Sequence, residues 1–253
     1  MAYSMVVLVK QTPDLNAVRV DKASGKPLLG DQLVMSSADA IAVEAALQLK
    51  EAHGGEITVV SAGSASVKDV LQRALAMGAD RGLLIPVDAP NKLDTLAIAN
   101  VIAEALKEMT FDLLLAGQNS DDYESGQVPA QVAERLGLPQ VSWVTKIDAN
   151  GAELTFERDT EDGKQGVVAS TPLVVMTADG LNEPRYPSLK GIMAAKKKPI
   201  DTAAAPADLS SGSISWSEPM AQSRPTAGII VQDKPAADAA AELVAWLKSN
   251  KLA

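Results

Sequence analysis

Short apolar runs alternate with amphipathic stretches of helical period along the first 140 residues, and this rhythm limits the fold more than any other feature. Residues 6–9 read as a strand, and residues 38–52, with Ile41, Ala45, Leu47 and Leu49, as a helix stopping before Gly54-Gly55. Residues 57–60 form the next strand, and a helix over about 66–77 is stopped by Gly78. A strand at 83–87, a helix at 95–109, a strand at 113–116 and a helix at 127–136 follow, the last closed by Gly137 and Pro139. Alternation at this spacing predicts a mostly parallel sheet with helices on both faces and right-handed crossovers.

After Pro139 the period changes. Residues 141–147, 153–158 and 166–169 show the alternation of short strands, separated by Asn150-Gly151 and Asp162-Gly163, pairs that accept the positive φ of tight hairpins. They predict an antiparallel extension, with 173–176 returning to the main sheet. Beyond Pro199, residues 201–225 are rich in Ala, Ser and Pro and read as an extended arm. A last helix over 236–248 places Ala240, Leu243, Val244 and Leu247 on one face. The expectation is therefore a Rossmann-like α/β fold with an antiparallel extension and a C-terminal arm, divided into a core at 1–195 and an arm at 196–253. Such an arm needs a surface to lie on, and a second subunit is the simplest one.

Composition narrows the function by exclusion. A net charge of −9 argues against a general nucleic-acid or anionic-membrane binder, with Lys196-Lys197-Lys198 a local exception that reads as the solvated end of a helix. No apolar run approaches the roughly 20 residues that span a bilayer. The start of the chain has neither a basic region nor a cleavage site, so no secretory leader is expected. The chain has no cysteine, which removes disulfides, thiolate nucleophiles and Cys-ligated clusters, and a cytoplasmic protein is expected.

Ligands of open parallel sheets bind at the carboxyl ends of the strands, where the strand order reverses. Three loops leave such ends. They are Lys10-Gln11-Thr12-Pro13-Asp14; Ser61-Ala62-Gly63-Ser64-Ala65-Ser66; and the polar run from Ala116 to Gln127, which holds Asp121-Asp122 and Tyr123-Glu124-Ser125-Gly126. The second and third open helices, where backbone N–H groups favour an anion. Ser125 reads as an N-cap; with Gly126 it could also offer a phosphate a hydroxyl and backbone amides. Neither GxGxxG nor GxxxxGK[ST] occurs, and His53, the one histidine, sits at a helix end beside glycines. A Ser-His-Asp triad and a metal cluster are not supported, and no active-site constellation is present. That also weighs against a free-standing hydrolase.

One segment is more specific than the rest. After the apolar run at 173–176 comes Asp179-Gly180-Leu181-Asn182-Glu183-Pro184-Arg185-Tyr186-Pro187, and then Ile192-Met193-Ala194-Ala195-Lys196-Lys197-Lys198-Pro199. Pro184 and Pro187 fix their own φ and bias Glu183 and Tyr186 away from helix, which predicts a stiff exposed loop with Leu181 near its tip. Word for word the segment resembles the signature of the β subunit of electron transfer flavoproteins. The likeness spans nearly the whole chain. It includes Val9-Lys10-Gln11, Ala42-Val43-Glu44-Ala45-Ala46, Ala74-Leu75-Ala76-Met77-Gly78-Ala79-Asp80-Arg81-Gly82 and Ser125-Gly126-Gln127.

The resemblance implies a non-catalytic electron-carrier subunit that pairs with a larger α subunit holding the redox-active FAD. Such heterodimers take electrons from flavin dehydrogenases, such as the acyl-CoA dehydrogenases of fatty acid oxidation, to a quinone oxidoreductase or another acceptor. It implies AMP, with a structural role, near Leu8, Ser36, Ser37, Ala38, Asp39, Ala62, Tyr123, Glu124, Ser125 and Gly126. The α-subunit FAD would lie nearest Asp14 and Leu15. Partner docking falls to Leu181, Asn182, Glu183, Pro184, Arg185 and Tyr186, with Leu181 as the exposed anchor. Two departures from the family pattern bear on the nucleotide: Ser36-Ser37-Ala38-Asp39 stands where Asn-Pro-Phe is common, and the loop at Asp121 is shorter than in the mitochondrial form. Electron-bifurcating relatives hold a second FAD in the same cleft and oxidise NADH, which is the alternative to AMP.

Overall fold

The computed structural model describes residues 1–204, 209, 214–221 and 228–252. In chain order the elements begin with β1 (Tyr3–Leu8) and four short strands, β2 (Gln11–Pro13), β3 (Arg19–Val20), β4 (Pro27–Leu28) and β5 (Leu33–Met35). Then come α1 (Ser37–His53), β6 (Gly55–Gly63), a 3-10 turn leading into α2 (Lys68–Met77), β7 (Arg81–Pro86), α3 (Thr95–Leu106), β8 (Leu113–Gly117) and α4 (Val128–Leu136). The chain continues with β9 (Gln140–Asn150), β10 (Glu153–Thr160), β11 (Gly163–Ser170), β12 (Leu173–Thr177), α5 (Leu189–Ala195), β13 (Ile200–Thr202) and α6 (Ala236–Ser249).

Nine strands form one sheet in the order β11-β10-β9-β12-β8-β1-β6-β7-β13. From β9 to β13 every pairing across this sheet is parallel, while β9, β10 and β11 form the antiparallel meander expected from the two turn pairs. The chain runs from β1 outward to β6 and β7, then returns to place β8 on the other side of β1. The order therefore reverses between β1 and β8.

Alternating side chains of the central strands feed two cores. Met5 and Val7 of β1, with Ile57, Leu113, Leu115 and Val175, pack with Ala42, Ala46, Leu71 and Leu75 of α1 and α2. Val6 and Leu8, with Val60, Leu114 and Val174, pack with Ala99, Ile102, Val132 and Ala133 of α3 and α4. A strand buried on both faces must be apolar throughout, which is why β8 and β12 read as unbroken hydrophobic runs. Small residues on the helices let them lie close: at Gly78, where α2 ends with φ +143°, a Cβ would come 2.7 Å from Leu47 Cδ2 of α1.

Three expectations are corrected. The helix expected to begin with an N-cap at Ser125 begins at Val128, with Gln127 at the cap position and no side-chain cap. Gly126 has φ +61° and Pro129 occupies the first turn, so the helix starts only after the chain leaves the left-handed region. Residues 200–202, expected in the arm, add β13 to the sheet beside β7; the arm expected over 201–225 otherwise lies partly outside the described residues. Lys198 is not a solvated helix end: its Nζ donates to the carbonyls of Leu75 and Ala79 at the end of α2. Burial lowers its pKa. No helix among the described residues is long and apolar enough to cross a membrane.

Candidate functional site

The ends of β1 and β8 are held together at the switch point by Asp39. This residue sits in the first turn of α1, 6% exposed, and accepts the backbone N–H groups of Lys10 at 2.7 Å and Gly117 at 3.0 Å. Burial pushes its pKa up to about 7, against the lowering effect of those two donors and of the Lys10 ammonium. The helix lies so close that a Cβ at Gly117 would be 2.7 Å from the Ala38 backbone.

Above this clamp opens a cleft of about 750 Å³. Its walls include Leu8, Lys10 and Gln11 after β1, Ala62, Ser64 and Ser66 after β6, and the 116–129 segment after β8. The 64–66 corner is tied to Gln11, whose side chain donates to Ser66 O at 2.9 Å and accepts from Ser66 Oγ at 2.7 Å. At the start of α4 the amides of Ser125, Gly126 and Gln127 take part in none of the hydrogen bonds among the described residues, and these three residues line the cleft. The Lys10 ammonium is 2.7 Å from Asp122 and 5.0 Å from the centre of the Tyr123 ring.

The structure divides the residues expected around the nucleotide. Leu8, Asp39, Ala62, Tyr123, Ser125 and Gly126 line the cleft. Ser37, Ala38 and Glu124 instead line a smaller pocket of about 210 Å³ on the other side of the 118–124 loop, and Ser36 is fully buried beneath it. That loop is pinned to α1, because Asp121 accepts Ser37 N–H at 2.8 Å and Ser37 Oγ at 2.6 Å, while Ser36 Oγ accepts Asp121 N–H. Asp121 thereby caps α1 from outside, with its charge directed at the positive helix end. Leu15 lies on the cleft rim, more than half exposed, whereas Asp14 folds its own turn by accepting from Asn16.

Sequence reasoning missed several wall residues. Gln118 is 8% exposed, and its Oε1 accepts the N–H of Trp143, a bulky residue held at φ +57° in β9. Trp216 arrives from the C-terminal arm. Gln118 lay inside a loop already singled out, and a polar residue following a buried strand was the available signal. Trp216 had none, because its segment has no period.

The segment after β12 departs from expectation. Leu181 is half-buried and packs on the core below α1. Asn182 Nδ2 donates to Ile41 O at 3.1 Å, and Arg185 is ion-paired to Glu44 and Glu51, all on α1. With these tethers in place Leu181 is less exposed than expected at the tip of the loop. The exposed apolar side chains are Tyr186 at 88%, Leu189 at 76%, Met193 at 65% and Ile192 at 44%, the last three on α5.

Comparison with known proteins adds to this geometry. Residues 29–208 match the family model described as the electron transfer flavoprotein domain. The chain is 43% identical to the electron transfer flavoprotein subunit beta of Syntrophomonas wolfei over 253 residues, covering 99% of this chain and 98% of that protein. It is 40% identical to the subunit of the same name from Bacillus subtilis over 199 residues, covering 78% and 77%. A third relative with that name, from Thermoanaerobacterium thermosaccharolyticum, is 38% identical over 197 residues, covering 77% and 75%.

Proposed function

The chain belongs to the electron transfer flavoprotein family as a β subunit, and on that premise we propose that it is the non-catalytic half of a heterodimeric carrier that holds AMP in its cleft. Family membership carries with it an electron-transfer role, association with flavin and an α-subunit partner. The finer reading places the FAD mainly in that α subunit, near Asp14 and Leu15. The flavin supplies the electron-carrying chemistry when bound there. Flavin dehydrogenases, including those of fatty acid oxidation, are the proposed donors, a quinone oxidoreductase or similar protein the acceptor, and the cytoplasm the location.

The observation that carries AMP is the cleft at the β1/β8 reversal, lined by Ser125, Gly126 and Gln127, whose amides no described residue engages. A nucleotide fits this donor set. Ser125, Gly126 and Gln127 would offer their N–H groups to a phosphate at the start of α4, beside Lys10, which is paired with Asp122. Leu8, Ala62 and Tyr123 offer apolar surface to the rest of the ligand, while Asp39 acts below it by holding two strand ends in place. Ser36, Ser37, Ala38 and Glu124 shape the loop wall from behind.

Docking falls to the face formed by Tyr186, Leu189, Ile192 and Met193 together with the Leu181, Asn182, Glu183, Pro184 and Arg185 segment, which Asn182 and Arg185 hold to α1. A carrier must release its partner after each transfer, and a small apolar patch on a rigid support gives recognition at little ordering cost. The arm and α6, whose Leu243, Val244 and Trp246 are exposed, are assigned to the α subunit.

A cleft of about 750 Å³ has room for more than a mononucleotide. This favours one second reading, a bifurcating subunit with a second FAD that oxidises NADH. The test is to purify the complex with its α subunit and quantify the released nucleotides. One FAD and one AMP per heterodimer supports the carrier; two FAD and no AMP supports the second reading; one FAD alone defeats both.

A further inference from the structure

Residues 214–221 run across the mouth of the cleft. Ile214 N–H donates to Asp94 Oδ2 at 3.2 Å, Trp216 Nε1–H to Leu93 O at 3.1 Å, and Ala221 N–H to Gly25 O at 2.8 Å. Lys26 and Glu218 add an ion pair at 2.8 Å. The strap is thus fastened to both rims: to the 93–94 corner before α3 and to the turn between β3 and β4. Between these points Trp216 lies against Tyr123, ring centres 5.0 Å apart and planes tilted by 36°, and both residues line the cleft.

Both rings are only half covered, Trp216 at 43% exposure and Tyr123 at 48%. The indole's one donor is already used by Leu93 O, so what remains for a ligand is its π-face. The cleft is thus lined by both kinds of surface, the polar turn at Ser125, Gly126 and Gln127 and the two aromatic rings, with the Lys10 ammonium beside Tyr123. A phosphate joined to a flat heteroaromatic ring is the ligand chemistry that uses both.

We propose that Trp216 is a specificity-determining residue of the cleft, forming with Tyr123 a wall against which the base of the bound nucleotide stacks. This rests on the nucleotide reading above but is not contained in it, since the strap lies beyond residues 29–208, the part that the family model matches. The arm then has two duties, one toward its partner subunit and one toward the ligand of its own domain.

The test uses the full heterodimer freed of its nucleotide, titrated with AMP and, by displacement of labelled AMP, with ribose 5-phosphate, which has the phosphate but no base. Trp216→Ala is expected to weaken AMP about tenfold or more, in the range of one lost base–aromatic stack. Ribose 5-phosphate should be unaffected, and Trp216→Phe should keep most of the AMP affinity. AMP binding unchanged in Trp216→Ala would overturn the stacking wall and leave the nucleotide site standing. Equal weakening of both ligands would reduce Trp216 to a fastening of the strap, which also overturns the proposal. A native heterodimer that binds no AMP would overturn the nucleotide reading and the wall together.

Discussion

Arg185 grips the buried carboxylate of Glu44, Nε donating to Oε2 at 2.7 Å and Nη2 to Oε1 at 2.8 Å, across 141 residues of chain. The Arg185 backbone N–H reaches the same carboxylate at 3.2 Å. Glu44 is 3% exposed, and this pairing, with Glu51 second, holds the guanidinium pKa well above its ordinary value. Part of the 179–187 segment is therefore a fastening: Asn182 and Arg185 fix it to α1.

Arg185→Ala strands Glu44 in the interior and is expected to cost about 2–3 kcal/mol of stability. Glu51→Ala, which removes a mostly exposed partner, should cost less than about 1 kcal/mol. Urea unfolding of the two variants checks this. Equal small losses would mean that Glu44 does not depend on the guanidinium.

Leu189→Ala and Leu181→Ala separate docking from packing. Removing Leu189, exposed on α5, should slow electron transfer from a partner dehydrogenase several-fold and leave the unfolding midpoint unchanged. Removing Leu181, half-buried on the core, should lower stability by about 1–2 kcal/mol with normal transfer kinetics. The reverse pattern in stopped-flow traces would restore Leu181 as the anchor.

Asp39 predicts a pH dependence whose sign is opposite to that of an ordinary salt-bridged carboxylate. Its pKa is about 7 in the folded chain against 3.8 for a freely solvated aspartate, so between these values the folded chain holds a proton that the unfolded chain has lost. The contribution is full below the lower value and falls as pH rises, by at most about 1.4 kcal/mol per pH unit. Denaturation of wild type and Asp39→Asn from pH 4 to 8 should show the difference shrinking as pH rises. A difference that grows would mean that the amides of Lys10 and Gly117 outweigh burial and keep Asp39 ionised.

Gly126 has φ +61°, and a Cβ there would come 2.8 Å from Asn119 Oδ1. Gly126→Ala should strain the turn before α4 by about 1–2 kcal/mol and move its amides. We expect the purified heterodimer to retain clearly less than one AMP while its FAD content stays the same. Full AMP occupancy would show that the ligand does not depend on this turn.

Much of this architecture was legible because burial leaves a period. β1, β8 and β12 lie between two helix layers, and α1 carries its small apolar face in register with them. β2 to β5 were not legible, since pairs of two- and three-residue strands leave no repeat to read. The site was legible as loops rather than as side chains. Leu8, Ala62, Tyr123, Ser125 and Gly126 reach the cleft because strand ends and a helix start fix where they must be. Ser37, Ala38 and Glu124 fall behind the 118–124 loop because Asp121 pins that loop to α1, a contact between residues 84 apart. Leu181 is less exposed than expected for a similar reason: an aperiodic segment gives no facing, and contacts with the distant Ile41 and Glu44 decide how the segment sits.

Helix α1 serves the cleft from one end and the docking segment from its length. Asp39 in its first turn closes the strand ends, while Ile41, Glu44 and Glu51 carry the tethers of Asn182 and Arg185. At about 1.5 Å per residue and about 3.6 residues per turn, its seventeen residues set both a span of about 25 Å and an angular phase. A single residue inserted between Asp39 and Glu44 would rotate everything downstream by about 100°, so that one set of contacts could be kept only by giving up the other. An insertion in α1 is therefore expected to disturb the cleft and the 182–185 segment together, because this helix is the gauge against which the two ends are built.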